Sequence, residues 1–149
     1  MTTAETEALI RRRMAVLQTG DSDAILRDYT DESTTRTPDG PVCGLENLRS
    51  LFDMFFAGPM SEIRSFEVLR QDCSGELGYL VRKTETAAVE IPMATDSFVV
   101  RDGRIVSQNG GKRKLFPKRG PDSIVLDSEA VAQAENSLRT AALTTRPCT

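Results

Sequence analysis

One residue in the stretch MATDSFVVRDGRIVSQ, Met93 to Gln108, is out of keeping with its neighbours. Asp102-Gly103 between β-branched pairs is a strong hairpin signal. On the strand leading in, Ala94, Asp96, Phe98 and Val100 share one face, because side chains alternate with period two. Three of the four are apolar, so the Asp96 carboxyl falls on a face that should be buried, where an unpaired charge is costly. A carboxyl so placed is the first candidate for proton transfer or for hydrogen bonding to a reacting oxygen. If the carboxyl is functional, its charge is held there at a cost and Asp96→Asn should leave stability unchanged or raised; if Arg13 anchors it, the same change should destabilise.

What else the chain holds narrows the chemistry. Among 149 residues there is no histidine, which removes the commonest general base, the His-dependent nucleophilic triads and the usual imidazole metal ligands. There is no CxxC pair and no GxGxxG or GxxxxGK loop, so nucleotide and metal chemistry lose their usual signatures and no cofactor is expected. Acid–base work falls to carboxylates, Tyr, Lys or Cys.

Two hairpin registers supply a partner for Asp96. A two-residue loop pairs Arg101 with Arg104 and Asp96 with Asn109. A three-residue loop with Gly103 in the left-handed region pairs Val100 with Arg104 and Asp96 with Gln108. Either way an amide faces the carboxyl. In the "RRR" of residues 11–13 the side chains splay 100° apart, and Arg13, beside Met14 and in line with Ile10 and Leu17, is the one able to reach a pocket. Paired with Asp96 it would make a firm anion of the carboxyl; both arrangements stay open. Tyr29 offers a hydroxyl to orient Asp96 or a substrate oxygen, or packs as an ordinary half-buried ring. Lys83 and Glu85 read as an outward ladder pair, and Cys43 as structural.

The elements that position these groups are legible in outline. Thr3 to Thr19 has helical spacing, "GDSDAILRDY" a tight turn and short helix capped by Asp21 or Ser22, and "STTRT" is β-prone before the turn "PDGP". A second amphipathic helix starts at Gly44 and carries Phe52 and Phe55. Strand-like stretches follow at about Glu62 to Gln71, Glu76 to Glu90, and Ile91 to Lys114, with "DCSG" as the first turn. Helices first and antiparallel hairpins after predict an α+β domain, a curved antiparallel sheet wrapped on N-terminal helices, over residues 1–117. Residues 118–149 read as a Pro/Gly linker and a C-terminal helical appendage with a frayed end, partly disordered.

The element order, with "GDSDAI", "PDGPVCG" before a helix and "ATDSFVVRDGRI", resembles the SnoaL-like and ketosteroid-isomerase-like branch of the nuclear transport factor 2 superfamily, over about residues 5 to 113. The resemblance implies a cone-shaped α+β barrel, a homodimer, and a pocket between sheet and helices. Its members include isomerases, polyketide cyclases, dehydratases and non-enzymatic binding proteins, so the fold alone does not settle function. It also implies that Asp96 matches a strand carboxyl that works as a hydrogen-bond donor in the isomerases and as an acid–base group in the cyclases. It favours the three-residue loop, with Val106 beside Phe98, and makes Tyr29 and Phe52 pocket positions. The isomerase's general-base aspartate falls at Thr37 and its oxyanion-hole tyrosine at Arg13, so the isomerase mechanism as such is not expected.

The resulting expectation is a cofactor-independent isomerase, cyclase or dehydratase for a small, mostly apolar oxygenated metabolite. Asp96, Tyr29, Arg13 and Gln108 would act, and Phe52, Phe55, Phe98, Thr37 and Val106 would line the wall. The alternative is a non-catalytic binding or dimeric interaction module. A net charge of −3 argues against nucleic acid or an anionic membrane as partner. No apolar run approaches the ~18 residues of a spanning helix, and the N-terminus lacks a signal-peptide apolar region. Cys43, Cys73 and Cys148, odd in number and far apart, read as reduced thiols of a cytoplasmic protein rather than a disulfide frame or zinc site.

Overall fold

Thr2 opens the chain's first helix with a capping box: its hydroxyl accepts from the Glu5 amide while the Glu5 carboxylate accepts from the Thr2 amide. The computed structural model of the chain describes residues 1–112, 116 and 117, and 148. The helix, α1 (Thr3–Leu17), buries Thr6, Leu9, Ile10, Arg13, Met14 and Leu17. Four residues on, Asp21 accepts from the amides of Asp23 and Ala24 and starts α2 (Ser22–Leu26). The hairpin β1 (Thr34–Thr37) and β2 (Gly40–Cys43) leads into α3 (Leu45–Ala57), and a meander follows of β3 (Ile63–Ser74), β4 (Leu77–Thr86), β5 (Val89–Arg101) and β6 (Arg104–Lys112). A short β7 (Phe116–Pro117) pairs with β5.

The strands lie in the order β2-β1-β6-β5-β4-β3. The three helices pack on one face and enclose a core of Leu9, Ile10, Leu17, Ile25, Leu48, Phe52, Leu80, Phe98, Val100 and Ile105. The α+β architecture is as expected, with two corrections. The sheet is not wholly antiparallel, because β1 pairs β6 in parallel. Nor does it close: it curls, leaving β2 and β3 as edges.

The hairpin at Asp102-Gly103 takes neither expected register through to Asp96. Arg101 pairs with Arg104 across a two-residue turn in which Asp102 (φ 51°) and Gly103 (φ 72°) are both left-handed, the backbone of a type I′ turn. One strand position later Val106 bulges out, since Val100 pairs with Ile105 but Val99 with Ser107. Beyond the bulge Phe98 faces Gln108 and Asp96 faces Gly110.

Two further differences have local causes. "DCSG" is mostly strand, with the reversal at Gly75-Glu76. The second hairpin, at Ala87-Ala88, lacks glycine or proline; the Thr86 hydroxyl instead accepts from the amides of Ala88 and Val89. The cysteines correct the thiol reading: Cys43 is disulfide-bonded to Cys148, with Cα atoms 5.6 Å apart, and Cys73 is free. A separation of 105 residues in sequence hid the pair, and the bond removes the thiol argument for a reducing compartment. It also ties down Cys148 at the end expected to fray. The remainder of the expected C-terminal appendage lies outside the described residues.

Candidate functional site

Period-two alternation puts Ala94, Asp96, Phe98 and Val100 on the buried face of β5, as the sequence predicts, with Asp96 only 6 % exposed. The same alternation on β4 turns Leu80, Arg82, Thr84 and Thr86 inward. Leu80 pairs with Asp96 across the ladder, and Arg82 with Ala94. Arg82 therefore reaches the carboxylate: its Nε donates to Asp96 Oδ2 at 3.1 Å and its Nη1 to the Thr84 hydroxyl at 2.9 Å, with the guanidinium 5.7 Å from the Phe66 ring centre. Gln108 Nε2 donates to Asp96 Oδ1 at 3.1 Å. Both carboxylate oxygens thus accept from donors, the arrangement of an anion. Gly110 makes room for it, since a Cβ there would come within 3.3 Å of Oδ1.

Arg13 does not pair with Asp96. It enters from α1, 2 % exposed, and its Nε donates to the Tyr29 hydroxyl at 3.2 Å. Its guanidinium lies 5.2 Å from the ring centre of Phe52 and 5.6 Å from that of Tyr29. Tyr29 in turn donates to Gln108 Oε1. Donors therefore run one way, Arg13 to Tyr29 to Gln108 to Asp96. An amide has a fixed donor end and a fixed acceptor end, so this chain orients the carboxylate but relays no proton. Burial pushes the Tyr29 phenol above its ordinary pKa, with Arg13 opposing. Of the neighbouring arginines, Arg12 pairs with Asp28 at 2.6 Å and Arg11 is exposed.

These groups meet in a cavity of about 150 Å³. Arg82, Asp96, Gln108 and Gly110 belong to its polar side; Met14, Leu17, Leu51, Phe52 and Phe55 supply the apolar side. Arg13 and Thr35 also line it, while Thr37, Pro38 and Asp39 of the β1–β2 hairpin stand at its mouth. Arg13 Nη1 and Thr35 Oγ1 are buried without a hydrogen-bond partner among the described residues.

Asp96, Arg13, Gln108, Phe52, Phe55 and Thr37 thus line one cavity. Tyr29 is buried one layer behind the wall, braced against Phe52 at 5.7 Å between ring centres. Two expectations fail: Phe98 packs in the core and does not line the cavity, and Val106 sits at the β-bulge away from it. Arg82 and Thr35 are the residues sequence reasoning missed. The face of β4 that carries Arg82 holds one apolar residue, Leu80, and so gave no stripe to mark it; the inward face of β1 was too short to read. Lys83 points outward, 3.7 Å from Glu90, as expected. Among the described residues no cluster of side chains fits a metal, and no helix is long and apolar enough to cross a membrane.

A family model described as a SnoaL-like domain matches residues 10–108. Similar solved structures include a de novo designed protein with a curved beta-sheet, at TM-score 0.68 and 14 % identity, covering 94 % of this chain and 99 % of that one. An NTF-2-like protein of unknown function from Burkholderia xenovorans matches at TM-score 0.65 and 19 % identity, covering 86 % and 98 %. An uncharacterised protein with a cystatin-like fold from Silicibacter pomeroyi matches at TM-score 0.63 and 13 % identity, covering 91 % and 86 %. At these identities the likeness is one of fold. No curated protein matches the sequence.

Proposed function

The chain belongs to the SnoaL-like domain family, and from that premise we propose that it binds a small, mostly apolar oxygenated metabolite in this cavity and acts on it by cofactor-free acid–base chemistry. The observation that supports the reading is one buried carboxylate, Asp96, lining the same apolar cavity as a buried guanidinium, Arg13. A carboxylate accepts about four hydrogen bonds, and the donors described use one on each Asp96 oxygen. The lone pairs left accept a proton from a carbon acid and return it elsewhere, as isomerases, cyclases and dehydratases require. Arg13 Nη1 stabilises the oxyanion that forms as the proton leaves. Tyr29 and Gln108 hold these two charges in place, and Phe52 and Phe55 keep water out.

One observation favours a second reading, a non-catalytic binding module. Arg82 already holds the Asp96 carboxylate in a buried ion pair, the arrangement of a structural anchor. The two readings separate in D2O. Single-ring ketones, enones and their acids are incubated with the protein, and deuterium incorporation beside the carbonyl is followed by proton NMR. The acid–base reading expects incorporation above the buffer blank for at least one compound that binds. Binding without incorporation across the panel would refute it and leave the binding module.

A homodimer through the outer sheet face completes the proposal. Leu77 is 59 % exposed, Tyr79 stands beside it on the outward face of β4, and Val68 and Leu69 are exposed on the edge strand β3. Thr95, Ser97 and Val99 reach the same face of β5, whereas Ile105 is fully buried and takes no part. Light scattering at micromolar protein reports the mass directly, and a monomer refutes the dimer.

A further inference from the structure

Among the described residues the buried charges around the cavity do not balance, and the imbalance specifies the ligand. Of the buried charged groups that line it, Arg13 and Arg82 are cations and Asp96 is an anion. Arg82 and Asp96 neutralise each other. Among the described residues Arg13 forms no salt bridge and its Nη1 has no hydrogen-bond partner. A buried guanidinium without a carboxylate partner is costly, and the Tyr29 hydrogen bond and the two ring contacts offset that cost only in part. A second orphan lines the same cavity: the Thr35 hydroxyl, buried and without a partner. Both can donate, and neither finds an acceptor among the described residues.

We infer that the ligand of this cavity is a small organic carboxylate whose carboxyl group accepts from Arg13 Nη1 and Thr35 Oγ1. The inference rests on the reading of this cavity as the ligand site. The rest of the ligand follows from the walls. Met14, Leu17, Leu51, Phe52 and Phe55 offer no polar partner, so the body of the acid is apolar. The volume of about 150 Å³ is that of a cavity that takes up one benzene ring, and below the roughly 300–1,000 Å³ of sites for larger ligands. A single-ring or short branched-chain acid fits, and a fused-ring one does not. With its carboxylate on Arg13, such a ligand lies against the wall that carries Asp96, whose charge repels a carboxylate and so fixes the end-to-end orientation.

The test uses the full chain and calorimetric titration with benzoate, benzamide, acetate and 2-naphthoate. Benzoate is expected to bind at least about tenfold tighter than benzamide, the least that a charge-assisted hydrogen bond to a buried partner confers. Acetate carries the charge without the ring and 2-naphthoate exceeds the volume, so both are expected to bind at least tenfold more weakly than benzoate. Arg13→Met keeps the side-chain bulk and is expected to abolish the benzoate preference; Thr35→Val, which removes only the hydroxyl, is expected to reduce it. Equal binding of benzoate and benzamide by the wild type, or a preference that survives Arg13→Met, overturns the inference, as does failure of the whole panel to bind. These outcomes are independent of turnover. An acid preference without deuterium exchange would sink the acid–base reading and keep the ligand assignment.

Discussion

Replacing Asp96 by Asn removes the charge that Arg82 is paired with and keeps the shape of the side chain. Removing one partner of a buried ion pair costs about 3–5 kcal/mol, because the other charge is stranded. The pair is nearly enclosed, with side-chain exposures of 10 % and 8 %. Arg82 keeps its bond to Thr84 and its contact with Phe66, and the Asn carbonyl still accepts one hydrogen bond. These place the loss at the lower end, about 3 kcal/mol, or a fall in Tm of roughly 6–12 °C for a chain of this length. Buried charge around the cavity meanwhile rises from +1 (Arg13 and Arg82 against Asp96) to +2. From sequence alone an unanchored Asp96 should tolerate Asn without loss; the contact with Arg82 reverses that expectation. The assay is thermal unfolding of wild type, Asp96→Asn, Arg82→Met and the double variant. Each single variant should lose about 3 kcal/mol, and the double variant should return to within about 1 kcal/mol of wild type, because replacing both charges removes the stranded one. An Asp96→Asn protein as stable as wild type, or strictly additive losses, would refute the pairing as an anchor.

Arg13→Met should raise stability by about 1 kcal/mol, the relief of an unpaired charge exceeding the lost Tyr29 hydrogen bond and ring contacts; a lower Tm would show that Arg13 has a counter-ion after all. In a Tyr79→Phe protein, phenolate absorbance should emerge only above the ordinary pKa of about 10, because burial raises that of Tyr29. A raised folded value means that Tyr29 contributes stability below pH ~10 and loses it as pH climbs through the folded value; absorbance growing in at pH 10 or below would contradict this. Alkylation of denatured, unreduced protein should modify one thiol, Cys73, and three after reduction; three before reduction would rule out the Cys43–Cys148 bond. A chain ending at Lys118 loses the Cys43–Cys148 bond and should melt below the full chain, yet remain soluble and folded; insoluble protein would place the domain boundary further on.

The sequence carried the site's pattern better than its register. Asp96 and Arg13 were legible because each is a charge embedded in an apolar stripe, one of period two and one of period 3.6. Asp96's neighbours were not, because one bulge at Val106 shifts every later pair on β6 by a residue. Gln108 still meets the carboxylate, by reaching along the strand and not across it. Arg82 went unread because β4 offers no apolar stripe to betray it: its inward face runs Leu80, Arg82, Thr84, Thr86. The turn at Ala87-Ala88 was invisible for a similar reason, since a threonine hydroxyl does there what glycine or proline does elsewhere. The helices were the easiest to place, with caps at Thr2 and Asp21 and a glycine before α3.

The central claim, that the Asp96 carboxylate does the chemistry, is confounded in Asp96→Asn alone by the stranded Arg82. The Asp96→Asn/Arg82→Met protein separates the two effects, since it lacks the carboxylate and also the charge it anchored. The most direct measurement is its rate of deuterium incorporation into a compound that the wild type exchanges, at saturating ligand and at a temperature where both proteins are folded. The rate should fall by at least ~100-fold, the usual size of a lost general base. A rate within about threefold of wild type, with the ligand bound, would contradict the claim.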